Sequence, residues 1–238
     1  MANERYKSLS DVRTSVRDNL DESSASFWSN AQLLRYINRS KDRVWNRVKA
    51  LNADYFNISR TSLDGALTIL GESYTCTSFQ IVAGTTDYNL PPDFSEMKLV
   101  ECITSGYEQI RFIYRDMNNP EFRSLRAIVD NVTPSDYFLF DIFQDSAIRI
   151  APKTDTTLDL RLTYVQIIAD LVADSDRLTM PWPLYLAVEA FATGMALRQD
   201  RSPDALNWMQ EGDKVIAEMF GAHHRQIQDV ETAAGYLE

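Results

Sequence analysis

The sequence predicts an α+β protein: a helical bundle built from the N- and C-terminal segments, a central antiparallel β insertion and an extended C-terminal arm. Three observations predict it. Near both ends, apolar residues recur at three- and four-residue steps, which at about 100° per residue gathers them on one helix face. In the middle of the chain the period falls to two, the signature of half-buried strands. After Gly221 the apolar residues are only scattered. The corresponding spans are 1–72 and 169–220 for the bundle, 73–168 for the insertion and 221–238 for the arm.

Ser8, with Asp11 three residues on, is the start signal of a first helix. Its stripe of Leu9, Val12, Val16 and Leu20 is narrow, which predicts a short, lightly buried element. The run DESSAS breaks it, and Phe27 and Trp28 lead through Ser29 or Asn30 as N-cap into the strongest helix of the chain, residues 30–51. Leu33, Leu34, Ile37, Val44, Trp45, Val48 and Leu51 make its apolar arc, with Trp45 expected in the bundle core against the last helix. Lys41 falls in the same arc, its stem packed and its ammonium in water. On the opposite flank Arg35, Arg39, Arg43 and Arg47 follow at four-residue steps, and Asp42 is the only acid in the segment. Past Leu51 no period is sustained.

The alternating region begins near Thr75 with SFQIVAG, a turn at GTTD and then YNLPPDF, ended by Pro91 and Pro92. MKLVECITSG and EQIRFIY predict a hairpin around Ser105 and Gly106, and YFLFDIF and SAIRIAP another around Gln144 and Asp145. In TLDLRLTYV, Leu158, Leu160, Leu162 and Tyr164 face one way and Asp159, Arg161 and Thr163 the other. The stretch from Met117 to Asp136 is expected as an irregular insertion. Helix returns with Pro183 in a first turn and Leu184, Ala187, Val188, Phe191, Gly194 and Met195 as inner face, Gly194 allowing close helix approach. Ser202 and Pro203 open the last helix, whose stripe is Trp208, Met209, Gly212, Val215, Ile216, Met219 and Phe220.

Composition narrows the function classes. A hydrophobic content of 45% over 238 residues fills a real core, so the chain is not a disordered tail. The net charge of −10 divides unevenly: residues 1–60 hold 11 basic and 7 acidic side chains, the remainder 13 and 27. A mostly acidic surface argues against tight nucleic-acid binding, which needs a basic face. No apolar run approaches the roughly 18 residues of a membrane span, and the polar N-terminus is not a signal peptide. Cys76 and Cys102 stand apart without ligand-like histidines and are expected as small buried hydrophobes in a reducing compartment. No metal site is predicted.

No catalytic constellation is predicted either. His223 and His224 are adjacent in the tail, without a third ligand or a positioned nucleophile, and are expected in solvent. The P-loop, GxGxxG and HExxH motifs are absent. Asp174 and Asp176 lack the further oxygen ligands of a calcium loop and are expected in a solvated turn. The arginine stripe has a plain reading as a solvated helix face and a sharper one as a protein interface, since a basic first quarter on an acidic chain is complementary to a second copy. YFLFDIF, with more apolar side chains than one sheet face buries, is a second candidate contact.

Four stretches in order, FWSNAQLLRYINRSKDRVWNRV, DYNLPPDF, SAIRIAP with LDLRLTYV, and LTMPWPLYLAVEAFATGMALRQDRSPDALNW, resemble the head-to-tail adaptor (connector) proteins of tailed bacteriophages over residues 27–220. The resemblance implies a helical bundle with a β element and a C-terminal arm, no cofactor and no active site. It implies a homo-oligomer, a ring of about twelve copies with closed symmetry, in the virion neck between head and tail, made in the host cytoplasm. Its partners are then the portal protein and a tail or nozzle protein, with DNA passing through the channel without specific binding and no membrane involved. On this reading Arg35, Arg39, Arg43 and Arg47, and Ile227, Val230, Tyr236 and Leu237 of the arm, are the expected subunit or portal contacts. This chain is longer than the simplest helical members. Other readings are a lower tail-ring or nozzle component, a virion-associated hydrolase, which needs an acid or histidine cluster in a pocket, and a DNA-binding module, which needs a salt-dependent shift of DNA.

Overall fold

The computed structural model describes residues 6–22, 27–61, 66–69, 72–75, 79–128, 130–134, 136–143, 147–180 and 182–234, with backbone alone at 66–69, 72–75 and 222–234. In chain order the elements are α1 (Leu9–Asn19), α2 (Asn30–Leu51), β1 (Asn57–Arg60), β2 (Ala66–Ile69), β3 (Glu72–Thr75), β4 (Gln80–Ile81), β5 (Asp87–Asn89), β6 (Phe94–Cys102), β7 (Arg111–Tyr114), α3 (Pro120–Arg126), β8 (Tyr137–Phe143), β9 (Ala147–Ala151), β10 (Leu158–Gln166), α4 (Leu184–Gln199) and α5 (Ala205–Ala234). They form two compact units, Met1–Ala53 with Asp170–Glu238, and Asp54–Ala169. The fold class is α+β. Strand structure begins at β1, earlier than the alternating pattern suggested.

In the helical unit α4 is the centre. Its residues from Ala187 to Gly194 are buried on every side, Glu189 and Thr193 included, so it has no polar face, as expected of a helix enclosed by others. This corrects the single inner face read from its sequence. α1, α2 and α5 each pack on it. Gly194 and Gly212 set the α4–α5 approach: a Cβ on Gly194 would stand 3.1 Å from Ala205 O, and one on Gly212 2.8 Å from the Phe191 ring. α1 starts with the expected Ser8–Asp11 capping box and buries Leu9, Val12 and Val16 completely, so it is more than the lightly buried helix predicted. α5 starts at Ala205, after the Ser202–Pro203 turn, and continues to Ala234. The segment expected as an extended arm is therefore helical in its backbone to that point; Ala222, Arg225, Gln226 and Glu231 are all good helix formers.

The other unit is a mixed sheet in the order β1-β10-β6-β7-β8-β9-β5, with β4 also on β10, and a separate two-stranded sheet of β2 and β3. Leu158, Leu160, Leu162 and Tyr164 of β10 are buried as their alternation predicted, against Val100, Phe138, Phe140, Ile148 and Ile150. Three expectations change here. The sheet is not wholly antiparallel: β7 and β8 run parallel, which requires a crossover, and the stretch read as irregular supplies it as α3, with Asn119 as N-cap and Pro120 at its first turn. β4 and β5 do not pair with each other but with β10 and β9. YFLFDIF is covered on both faces, Phe138 and Phe140 in the main core and Leu139 against Phe122 of α3 and Ala151, so it offers no free face for a subunit contact. The β8–β9 hairpin is as expected. A buried Asp93 carboxylate joins β1 to β10, accepting from Arg60 at 3.0 Å and from the Tyr164 hydroxyl at 2.8 Å. Burial and that carboxylate push the Tyr164 phenol up.

Candidate functional site

The basic helix is held at its start and along its inner face. Ser29 is the N-cap and forms a capping box with Gln32. Just before it, the buried Arg17 of α1 donates to Trp28 O at 2.8 Å, Asn30 Oδ1 at 2.9 Å and Glu22 at 2.7 Å, which fixes the direction in which α2 leaves α1. The face that α2 buries consists of Leu33, Tyr36, Ile37, Ser40, Lys41, Val44 and Val48. It lies against α4, with little contact to α5. The predicted arc was rotated: Trp45 is half-buried beneath Lys49, 5.0 Å from its ring centroid, and Leu51 is exposed. Trp45 is not in the core.

Lys41 is a second correction. Its ammonium does not reach into open water; the side chain is 1% exposed, and Nζ lies 2.6 Å from Asp170 and 3.2 Å from Asp42. Asp170 opens the loop that returns the chain to this unit, and Asn38 pins the next residue by donating to Leu171 O at 2.9 Å and accepting from Leu171 N at 3.0 Å. Asp174 and Asp176 are occupied as well. Asp174 accepts from Arg13 at 2.8 Å, which lowers its pKa, while Asp176 accepts from Val172 N and Ala173 N at 2.7 and 2.8 Å. Neither is a cation site. Among the described residues no group of His, Cys, Asp or Glu could hold a metal.

The four arginines opposite divide into two pairs. Arg43 lies 4.4 Å above the Phe191 ring, donates to Met209 Sδ at 3.5 Å and approaches Asp213 to 4.0 Å. Arg47 donates to Asp213. These two fasten α2 to α4 and α5, with about 0.5–1 kcal/mol from such a cation–π contact and little more from a partly exposed pair. Arg35 and Arg39 are exposed and have no ion pair or hydrogen bond among the described residues. The stripe that looked uniform in sequence is half structural and half free.

Of the arm residues singled out, Tyr236 and Leu237 lie outside the described residues, and Ile227 and Val230 sit on α5 where the backbone alone is described, as do His223 and His224. Sequence reasoning passed over Trp182, which is 66% exposed just before α4. Its signal was there: a tryptophan followed by the proline that opens a helix precedes the first turn and cannot join the inner stripe. No helix of the described residues is long and apolar enough to cross a membrane.

A family model described as SU10 adaptor protein matches residues 7–235, nearly the whole chain. No curated protein matches it.

Proposed function

This chain belongs to the SU10 adaptor protein family of phage adaptor proteins, and from that membership we propose that it is a structural head-to-tail adaptor whose copies form a ring under the portal and continue the DNA channel to the tail. The match over residues 7–235 carries the proposal, because it takes in both units rather than one shared module. The charge distribution supports it. An acidic chain around passing DNA repels the phosphates and lets the duplex slide, whereas a basic lining holds it and makes passage depend on salt. In this reading the protein lacks a catalytic centre because it acts as a joint.

Arg35 and Arg39 are the contacts proposed for a neighbouring copy or the portal, since Arg43 and Arg47 already serve α4 and α5. Ile227, Val230, Tyr236 and Leu237 are proposed as apolar anchors on the same assembly. The test is the double reversal Arg35→Glu with Arg39→Glu in the full chain, mixed with purified portal protein and weighed in solution. The expected result is unchanged tryptophan fluorescence and unfolding, with attachment to the portal or to other copies lost or greatly weakened. Assembly equal to that of the unaltered protein overturns the assignment of these arginines, and failure of the unaltered protein to associate with portal overturns the adaptor role itself.

A further inference from the structure

The enclosed helix α4 ends in apolar surface that nothing in the unit covers. Trp182, just before its first turn, is 66% exposed, and Leu186 one turn on is exposed as well. Exposed apolar surface of this kind marks a contact, and tryptophan and arginine are among the residues that carry most of the energy of one. The segment before α1 runs beside this end: Ser8 and Arg177 form a backbone bridge, Leu178 N donates to Lys7 O at 2.9 Å, and the Lys7 ammonium lies 4.8 Å from the centroid of the Tyr185 ring. Arg177 is exposed, and its side chain has no ion pair or hydrogen bond among the described residues. The acids around it are engaged, Asp174 by Arg13, Asp176 by Val172 N and Ala173 N, and Glu189 by Lys7. This end therefore fits an apolar side chain with a carboxylate beside it.

Among the described residues the chain offers that combination at one place. Beside exposed Leu99, Glu101 approaches Arg161; beside exposed Tyr114, Asp116 accepts from Asn118 N; and on either side of exposed Val172, Asp170 and Asp174 pair with Lys41 and Arg13. Leu206 differs. It is 63% exposed in the first turn of α5, and Asp204, two residues before it, is exposed with a carboxylate that has no partner among the described residues. This is the opposite end of α4, which runs 16 residues from Leu184 to Gln199, about 24 Å at the rise of a helix. Arg35 and Arg39 stand at the same end, since Tyr36 donates to Gln199, so Asp204 and Leu206 are continuous with the contact proposed above. Arg198, Asp200 and Arg201 are exposed at this turn too.

We propose that the α4–α5 turn of one copy docks on the start of α4 in the next, with Leu206 against Trp182 and Asp204 with Arg177, while the largely exposed Asp174 faces the arginines of the turn. The two surfaces differ and lie at opposite ends of one helix, so the contact runs head to tail and is satisfied in every copy only when a ring closes. The proposal rests on the ring reading above and names the surfaces through which copies meet. An ion pair at a contact rim adds little, but like charges brought together there cost far more. Charge reversal is therefore the discriminating change.

Two full-length proteins test it, one with Arg177→Glu and one with Asp204→Arg, each weighed in solution with purified portal protein, separately and as an equimolar mixture. Either protein alone sets like charges against each other at every junction, whereas an alternating ring of the two pairs opposite charges at all of them. Each alone should assemble about tenfold more weakly or not at all, and the mixture should recover the ring mass. Both side chains are exposed, so unfolding in urea should not change. A ring from either reversal as readily as from the unaltered protein, or a mixture no better than its components, overturns this contact and leaves the ring reading standing. Leu206→Ala should weaken the same assembly with the fold intact, and a ring of undiminished stability from that variant overturns the apolar half of the contact. An unaltered protein that stays monomeric with portal present overturns the ring reading and this contact together.

Discussion

Replacing Asp170 with Asn tests how the buried Lys41 is tolerated in the bundle. Its side chain is 1% exposed and its ammonium meets Asp170 at 2.6 Å and Asp42 at 3.2 Å. Stripping a buried charge of its partner costs about 3–5 kcal/mol. Two features reduce that figure here. Asp42 stays in place, and the Asp170 side chain is 32% exposed, so water already screens part of the attraction. The expected loss is about 1–3 kcal/mol. Lys41→Met removes the charge but keeps an unbranched stem beside Ile37 and Val44, and should lie within about 1 kcal/mol of the unaltered protein or above it. With Met at 41, Asp170→Asn should lose most of its effect, because contacting residues are not additive. The assay follows from the sequence: all four tryptophans, Trp28, Trp45, Trp182 and Trp208, belong to the helical unit. Tryptophan fluorescence in a urea titration therefore reports that unit without requiring both to unfold together. An Asp170→Asn variant within about 0.5 kcal/mol of the unaltered protein, or a Lys41→Met variant equally damaged, would refute the reasoning.

Gly212→Ala sets helix propensity, which favours alanine by about 1 kcal/mol, against overpacking of about 1–3 kcal/mol, since the new methyl meets the Phe191 ring at 2.8–2.9 Å. A net loss is expected in the same titration, while Gly221→Ala on the same helix, with nothing within 4 Å of the added carbon, should be neutral or stabilising; the opposite order would mean that the α4–α5 contact has room. Glu189 provides the pH test. Burial raises its pKa above 4.5 although Lys7 at 2.8 Å pulls it down. A carboxyl that holds its proton more tightly folded than unfolded contributes stability below the unfolded value and loses it as pH rises through the folded one. Glu189→Gln cannot titrate, so its stability relative to the unaltered protein should improve from about pH 4 to pH 7. A difference that is flat or falls over that range would contradict the assignment.

What the sequence made legible was local. The Ser8–Asp11 box, a cap at Ser29 or Asn30, the alternation in β10 and the small residue at Gly194 each depend on a few neighbouring residues, and the structure has each of them, with Ser29 as the cap. What it concealed depends on partners distant in the chain. Periodicity gives the existence of an apolar arc on α2 but not its centre, so Trp45 is read as core and the Lys41 ammonium as solvated, whereas Tyr36, Ser40 and the whole of Lys41 are buried and the ammonium meets Asp170. Ala190, Ala192 and Ala196 weigh little in any hydrophobic pattern, which makes the enclosed middle of α4 look one-sided. The direction of a strand pair is not written in either strand. Only the length of the stretch between β7 and β8 hinted that it crosses over and returns in parallel.

The division of the arginine stripe bears most directly on the contact proposed for Arg35 and Arg39. A free surface arginine loses rotamer freedom when it binds, about 0.5–1.5 kcal/mol for each side chain immobilised, and a mobile helix would add the cost of ordering its backbone. α2 does not move freely. Arg17 fixes its start, the Asn38–Leu171 bonds and the Lys41–Asp170 pair fix its middle, and Arg43 and Arg47 tie its far end to Phe191 and Asp213. Arg35 and Arg39 therefore stand one turn apart on a helix already immobilised, so a partner bearing two carboxylates at that spacing meets a preorganised pair. The same residue type at the same four-residue step serves two ends, anchoring the helix where acids and an aromatic ring lie within the fold and remaining available where they do not.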